Sequence, residues 1–125
     1  MAMGRLLRLI LVVSVITMVV QATFAGRMLG GDGRSLSLHE LTAKVLVLLG
    51  VAQVLVALAM FFKKQCPPWV PIASFGLLAA EVTEFAAGHL HHVAIHVPLG
   101  LAIFGGAVRQ LIWAVGERRT EESTA

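Results

Sequence analysis

The sequence predicts an all-α membrane protein, a four-helix transmembrane bundle built from two related helical hairpins. Of its 125 residues, 58% are hydrophobic and only 14% are charged, and the mean hydropathy is +0.86. A soluble domain would carry about 25% charged residues. Four apolar stretches reach the length of about 20 residues that a helix needs to cross the hydrocarbon core. No segment shows the alternating pattern of a membrane β-strand.

The four predicted helices follow one another with short connections and form a single domain of residues 1–125. They cover residues 6–25, 38–62, 69–88 and 97–116. Arg5 and Arg8 before the first apolar run also resemble the start of a secretory signal. Because that run is longer than a signal core, we expect helix one to remain part of the domain.

Basic residues flank the predicted helices unevenly. One side of the membrane would receive Arg5, Arg8, Lys63, Lys64, Arg118 and Arg119. Because short loops rich in Lys and Arg stay in the cytoplasm, we expect a multi-pass protein of the plasma (inner) membrane with both termini cytoplasmic. The net charge of +3 then reflects topology. We therefore expect a lipid bilayer as the surroundings and no nucleic-acid partner.

Helices two and four carry the same residues at a constant offset. His39, Ala43, Gly50, Gln53 and Ala57 match His96, Gly100, Ala107, Gln110 and Ala114. At about 100° per residue, each set forms one stripe along its helix. Helices one and three match more weakly, through residues 24–26 and 85–88. The pattern predicts a duplicated hairpin, with both histidines at helix starts and Pro98 in a first turn, where proline is tolerated.

The matched histidines predict a cofactor site. Neutral imidazole is a good axial ligand for haem iron, and His39 and His96 would approach the iron from two helices. Small neighbours in the two stripes would leave room for a porphyrin, and Arg27 and Arg34 would meet its propionates near the outer leaflet. This interpretation assigns haem b to the pair.

Two other interpretations of the histidines remain open. In a continuous helix, His89, His92 and His96 would have i, i+3, i+7 spacing, and these three imidazoles together with Glu84 would suit zinc or copper. Alternatively, the histidines are structural or interfacial, and the chain is a non-catalytic membrane subunit or small carrier. In that case His89, His91 and His92 form a solvated loop.

Glutamates inside the third apolar stretch also need partners, because ionisable residues in a membrane usually face the bundle. Glu81 and Lys44 lie at similar depth, which predicts an ion pair between helices. The rival partner of Lys44 is Glu40, one turn away on the same helix. Glu81 or Glu84 would otherwise carry protons or orient a helix-start histidine.

Three stretches carry a family resemblance, namely QATFAGRMLGG (21–31), LHELTAKVLVLLG (38–50) and IHVPLGLAIFGG (95–106). They resemble small bacterial four-helix membrane proteins and, more distantly, one half of haem A synthase. Each half of that family has a histidine pair at the outer ends of its second and fourth helices. The resemblance implies His39 and His96 as haem ligands. It also implies a second copy of the chain or a redox partner in the membrane.

The sequence departs from that family at two features. Glu40 and Val97 follow the two histidines, where the family often has arginine, and the outer loop has no cysteine pair. These departures favour a cofactor-binding protein over an enzyme.

Overall fold

The computed structural model describes residues 2–124, and the side chains of residues 2–117. Its helices are α1 (Ala2–Leu29), α2 (Arg34–Phe62), α3 (Trp69–His89) and α4 (Val93–Thr124). Residues 2–124 contain no strand. Each helix contains a segment that is long and apolar enough to cross a membrane. The prediction of an all-α four-helix membrane bundle is confirmed.

The helices form a ring in chain order. Helix α1 packs against α2 and α4, and α3 packs against the same two helices, so that α2 and α4 lie diagonally opposite. We call the end with loops 30–33 and 90–92 the histidine end. The opposite end, with the start of α1 and loop 63–68, is the basic end. Helix α4 runs through residues 118 and 119, whose side chains lie outside the described part.

Polar groups in the loops start α2 and α4 earlier than the apolar pattern predicts. The Asp32 side chain accepts a hydrogen bond from the Arg34 amide at 3.1 Å, at the first residue of α2. The His92 carbonyl accepts from the amides of Ile95 and His96 at 3.0 and 2.9 Å, which begins α4 at Val93. Pro98 therefore lies inside α4, and its placement in a first turn was wrong.

A cluster of buried apolar residues lies toward the basic end. The buried cluster there comprises Leu7, Leu11, Ala57, Met60, Val70 and Ala114. Beside it, the rings of Trp69 and Trp113 meet edge to face at 5.1 Å, and the Arg109 guanidinium lies 5.7 Å from the Trp69 ring. Elsewhere large apolar side chains face outward on every helix, for example Leu48 and Ile72, which are 69% and 70% exposed. A bilayer covers such surfaces, which soluble monomers rarely display.

A buried group of hydrogen bonds joins three helices near the middle of the bundle. The Gln53 amide on α2 donates to the Gln110 carbonyl oxygen on α4 at 2.9 Å and to the Ser74 hydroxyl on α3 at 3.3 Å. The Gln110 amide donates to Ser74 at 2.7 Å and to the Val70 carbonyl at 3.2 Å. The matched glutamines of the sequence repeat thus meet across the bundle axis, and we call this group the glutamine cluster.

The glutamine cluster predicts non-additive mutations. Gln53→Leu or Gln110→Leu should each lower the free energy of unfolding in detergent by about 1–2 kcal/mol, because the remaining glutamine loses one of its hydrogen bonds inside the bundle. The double variant should lose less than the sum of the two, since no amide is then left unpaired. Thr83→Val, at an exposed position of α3, is the control and should change little. Strict additivity would contradict the assignment.

Candidate functional site

The two matched histidines come together at the histidine end. His39 on α2 and His96 on α4 have ring centroids 6.1 Å apart, with their planes inclined at 70°. Both side chains are partly buried. Because α2 and α4 lie diagonally opposite in the ring, the two imidazoles meet across the bundle axis. The two glutamines of the same helices meet in the same way further along the axis.

Each imidazole is anchored to a backbone carbonyl of the preceding helix. His39 Nδ1 lies 3.1 Å from the Gln21 carbonyl oxygen on α1, and His96 Nδ1 lies 3.1 Å from the Glu84 carbonyl oxygen on α3. A carbonyl only accepts hydrogen bonds, so in the neutral imidazole Nδ1 carries the hydrogen and Nε2 keeps its lone pair. This tautomer is the one in which Nε2 can bind a metal.

These anchors define the register between α1 and α3. They make Gln21 on α1 the counterpart of Glu84 on α3. The sequence match between the same two helices had instead aligned Phe24 with Phe85. Sequence reasoning did not find Gln21. The only signal for it was a polar side chain within an apolar run, because a backbone acceptor carries no residue preference.

The two histidines differ in the side chains beside them. The Glu84 carboxylate oxygen Oε1 lies 3.0 Å from His96 Nδ1, the same ring nitrogen that lies 3.1 Å from the Glu84 backbone carbonyl oxygen. On the other side, the neutral amide of Gln21 accepts a hydrogen bond from the Thr42 hydroxyl. Its nitrogen lies 3.5 Å from His39 Nε2. One imidazole therefore has a carboxylate partner and the other has an amide.

Glycines allow these side chains to approach the helices closely. A Cβ atom on Gly100 would lie 2.9 Å from Glu84 Oε1, and one on Gly88 would lie 2.9 Å from His96 Cε1. The Glu81 carboxylate packs against Gly50 in the same way. The space beside Gly50 and Gly100 is thus filled by carboxyl groups of α3, so the expectation that the small residue Gly100 leaves room for a porphyrin was wrong.

The predicted ion pairs of Lys44 are absent. Among the described side chains, no ion pair joins Lys44 to Glu81 or to Glu40. Glu81 is buried, with 8% of its surface exposed, whereas Lys44 is exposed. Matched depth was not sufficient, because Lys44 projects from a different side of α2 than Gly50, against which Glu81 packs.

The two arginines of the predicted site lie at the histidine end and are exposed. Arg27 Nη2 lies 2.7 Å from Asp32 Oδ2, and the backbone amide of Arg34 donates to the other oxygen of Asp32. The Ser35 hydroxyl, hydrogen-bonded to Asp32, and the Arg27 guanidinium lower the pKa of Asp32. The guanidinium of Arg27 therefore already has an anionic partner.

The loop histidines do not form a metal site. Helix α3 ends at His89 and α4 begins at Val93, and His91 between them has φ 61°. This break removes the helical spacing on which the zinc or copper interpretation depends. Within the described residues, no three His, Cys, Asp or Glu side chains are arranged to hold a metal ion. His89, His91 and His92 are exposed.

Fold and site together define a small multi-pass membrane protein with a pair of anchored imidazoles on its axis. Comparison of the chain with protein families, with curated proteins and with solved structures found no match. The geometry of its own residues is therefore what bears on its function.

The Asp32 carboxyl group, in the turn before α2, should titrate at a lower pH than a free aspartate does. The depressed pKa of Asp32 means that its carboxylate stabilises the turn above about pH 4, the range of a free aspartate, and that this contribution disappears as the pH falls through the lower folded-state pKa. Ser35→Ala should raise the Asp32 pKa, measured by NMR of its carboxyl carbon. Ser37→Ala is the control, because that hydroxyl donates to the Arg34 carbonyl. An unchanged titration in Ser35→Ala would contradict the assignment.

Proposed function

We propose that the protein is a small multi-pass protein of the plasma (inner) membrane that binds haem b between His39 and His96, near the outer leaflet. The observation that carries the proposal is the separation of the two imidazoles, 6.1 Å between ring centroids. His39 and His96, which α2 and α4 bring together across the bundle axis, would be the residues that hold the haem.

The anchoring of the rings supports the same proposal. Both Nδ1 atoms are held by backbone carbonyls at 3.1 Å. Histidines that bind metals usually donate this second ring hydrogen to a carbonyl or carboxylate, which fixes the orientation of the ring. His39 and His96 have this arrangement, whereas the exposed His89, His91 and His92 have no such anchor in the structure.

Exposed arginines at the same end would complete the site. Arg27 and Arg34 flank the loop before α2, next to the helix that carries His39. They would meet the propionates of the haem, with Arg27 exchanging part of its contact with Asp32. If bound between His39 and His96, the haem would supply one-electron chemistry. Electron exchange with a membrane partner or with a second copy of the chain suits such a site.

A second candidate function rests on the surroundings of His39. Both of its ring nitrogens have neighbours within the chain, the Gln21 carbonyl at 3.1 Å and the Gln21 amide nitrogen at 3.5 Å. Histidines satisfied in this way suit a non-catalytic membrane subunit or small carrier, in which the imidazoles hold the helices together. A protein that binds haem absorbs visible light and one without a cofactor does not, so the two candidate functions predict different absorption spectra.

The absorption spectrum separates the two candidates. Purified protein supplied with haem should show a low-spin Soret band, which His39→Ala or His96→Ala should each abolish, because an iron held by one imidazole changes its spin state. The triple variant His89→Ala, His91→Ala and His92→Ala is the matched control and should keep the band. A colourless wild-type protein would end the haem proposal and favour the subunit or carrier.

The membrane orientation has its own test. The basic end should be cytoplasmic, because Lys63 and Lys64 follow α2 there and Arg5 and Arg8 belong to the start of α1. The single cysteine of Gly33→Cys, in a Cys66→Ala background, should react with a membrane-impermeant thiol reagent in intact cells. A single cysteine at Gln65 in the same background should react only after lysis. The reverse pattern of labelling would invert the topology.

A further inference from the structure

We propose that Glu81 is a proton-binding site inside the bundle, open to the histidine end and closed toward the basic end. Glu81 lies in the membrane-crossing part of α3, and 8% of its surface is exposed. Its Oε2 atom is buried and has no hydrogen-bond partner within residues 2–117. The site does not depend on the proposed haem, because Glu81 packs against Gly50 and forms no hydrogen bond or ion pair with the described imidazoles.

No positive charge among the described side chains neutralises a Glu81 carboxylate. Helix α3 packs against α2 and α4, and no titratable side chain described on these three helices forms a hydrogen bond or ion pair with Glu81. Three of those side chains are partly buried, namely His39, Glu84 and His96. The others are exposed, namely Arg34, Glu40, Lys44, His89, Arg109 and Glu117.

These surroundings favour the neutral form of the carboxyl group. An ionised carboxylate without a partner is costly in an apolar medium, and such a group takes up a proton instead of remaining charged. The uptake converts the carboxylate and a hydronium ion into a carboxylic acid and water, and no other bond changes. The facing residue of α2 is Gly50, and the Leu78 side chain packs at the same position, so the group is enclosed by apolar atoms.

A proton fits this position better than a metal ion does. Calcium and magnesium ions need several oxygen ligands around one point. Gly50 and Leu78 offer no side-chain oxygen, and no three His, Cys, Asp or Glu side chains of the described residues are arranged to hold a metal ion. A proton needs only the one carboxyl oxygen that lacks a partner.

Partly exposed polar side chains lie between Glu81 and the histidine end. Glu84 follows one turn later on α3, and its Oε1 atom lies 3.0 Å from His96 Nδ1. The side chains of Glu84 and His96 are 18% and 24% exposed, so the access of water increases from Glu81 toward the loops. Protons therefore reach Glu81 from this end.

The chain is closed between Glu81 and the basic end. The glutamine cluster comes first, where the Gln110 amide donates to the Ser74 hydroxyl and to the Val70 carbonyl. Beyond it lies the buried apolar cluster, whose side chains have no group that could hold a proton. Its members are Leu7, Leu11, Ala57, Met60, Val70 and Ala114.

Infrared spectroscopy of the full chain in lipid vesicles tests the bound proton. The spectrum is recorded at about pH 7, where an ordinary glutamate with a pKa of about 4.3 is ionised. The wild type should show the C=O stretching band of a protonated carboxylic acid. Glu81→Gln should remove the intensity of one such group. Glu40→Gln, which replaces an exposed glutamate of α2, is the matched control and should leave the band unchanged.

Proton flux tests the closed end. Vesicles that contain the full chain and a pH-sensitive dye are given a potassium diffusion potential. The wild type and Glu81→Gln should show the same flux, because a site that is open at one end binds protons without passing them across the membrane. A flux in the wild type that Glu81→Gln abolishes would overturn the closure toward the basic end.

A wild type without the carboxylic acid band, or a band that Glu81→Gln leaves intact, overturns the proton-binding site. If Glu81→Gln does not fold, Glu81→Asp decides, because a protonated aspartate absorbs at a different frequency, and an unchanged band in that variant overturns the site. The infrared result does not involve a Soret band. Failure of the haem proposal and failure of the proton-binding site are therefore observed separately.

Discussion

A polar side chain inside a lipid-embedded bundle has no water to bond with, so its partner must come from the protein. That constraint organises the axis of this molecule. Helices α2 and α4 each contribute a histidine and a glutamine to the interior, and α1 and α3 supply backbone carbonyls, a serine hydroxyl and a carboxylate. Although α2 and α4 are diagonal in the ring, the equivalent residues of the two hairpins meet each other as well as groups of the neighbouring helices. The lipid-facing surface, which has no such polar groups to satisfy, needs only apolar side chains.

Most of this arrangement is visible in the sequence, because the surrounding lipid dictates which positions must be apolar and which polar groups must face inward. A helix that crosses a hydrocarbon core must be apolar for about 20 residues, so the four spans are visible in composition alone. The repeated stripe is also visible, because Gln53 and Gln110 are costly unless they face inward, and both are buried in the structure. The pairing of His39 with His96 follows from the same repeat.

Other features were not visible for physical reasons. The starts of α2 and α4 depend on one carboxylate and one carbonyl in polar loops, where hydropathy carries no signal. The partner of Lys44 was inferred from depth along the membrane normal, but contact also requires a shared direction around the helix. The partners of the histidine Nδ1 atoms are backbone carbonyls, and any residue provides one.

The small residues of the repeated stripes have a role that composition leaves ambiguous. Glycine in a membrane helix often allows two backbones to approach each other. Here Gly50 and Gly100 admit carboxyl groups of α3 instead. Glu81 and Glu84 therefore reach the bundle interior because the residue that each one faces is a glycine, which has no Cβ atom. The acidic character of this region thus depends on two uncharged residues.

The ring order has a consequence for the connectivity of the chain. Helices α1 and α4 pack side by side, and the Arg8 guanidinium near the start of α1 donates to the Ala114 carbonyl toward the end of α4 at 3.3 Å. The first and last helices therefore pack directly against each other, as the helices joined by a loop do. A gene rearranged to begin at α3, with a linker from α4 to α1, would encode a circular permutant with every interhelical contact preserved. Even two separately translated hairpins contain all the residues needed to assemble the axis.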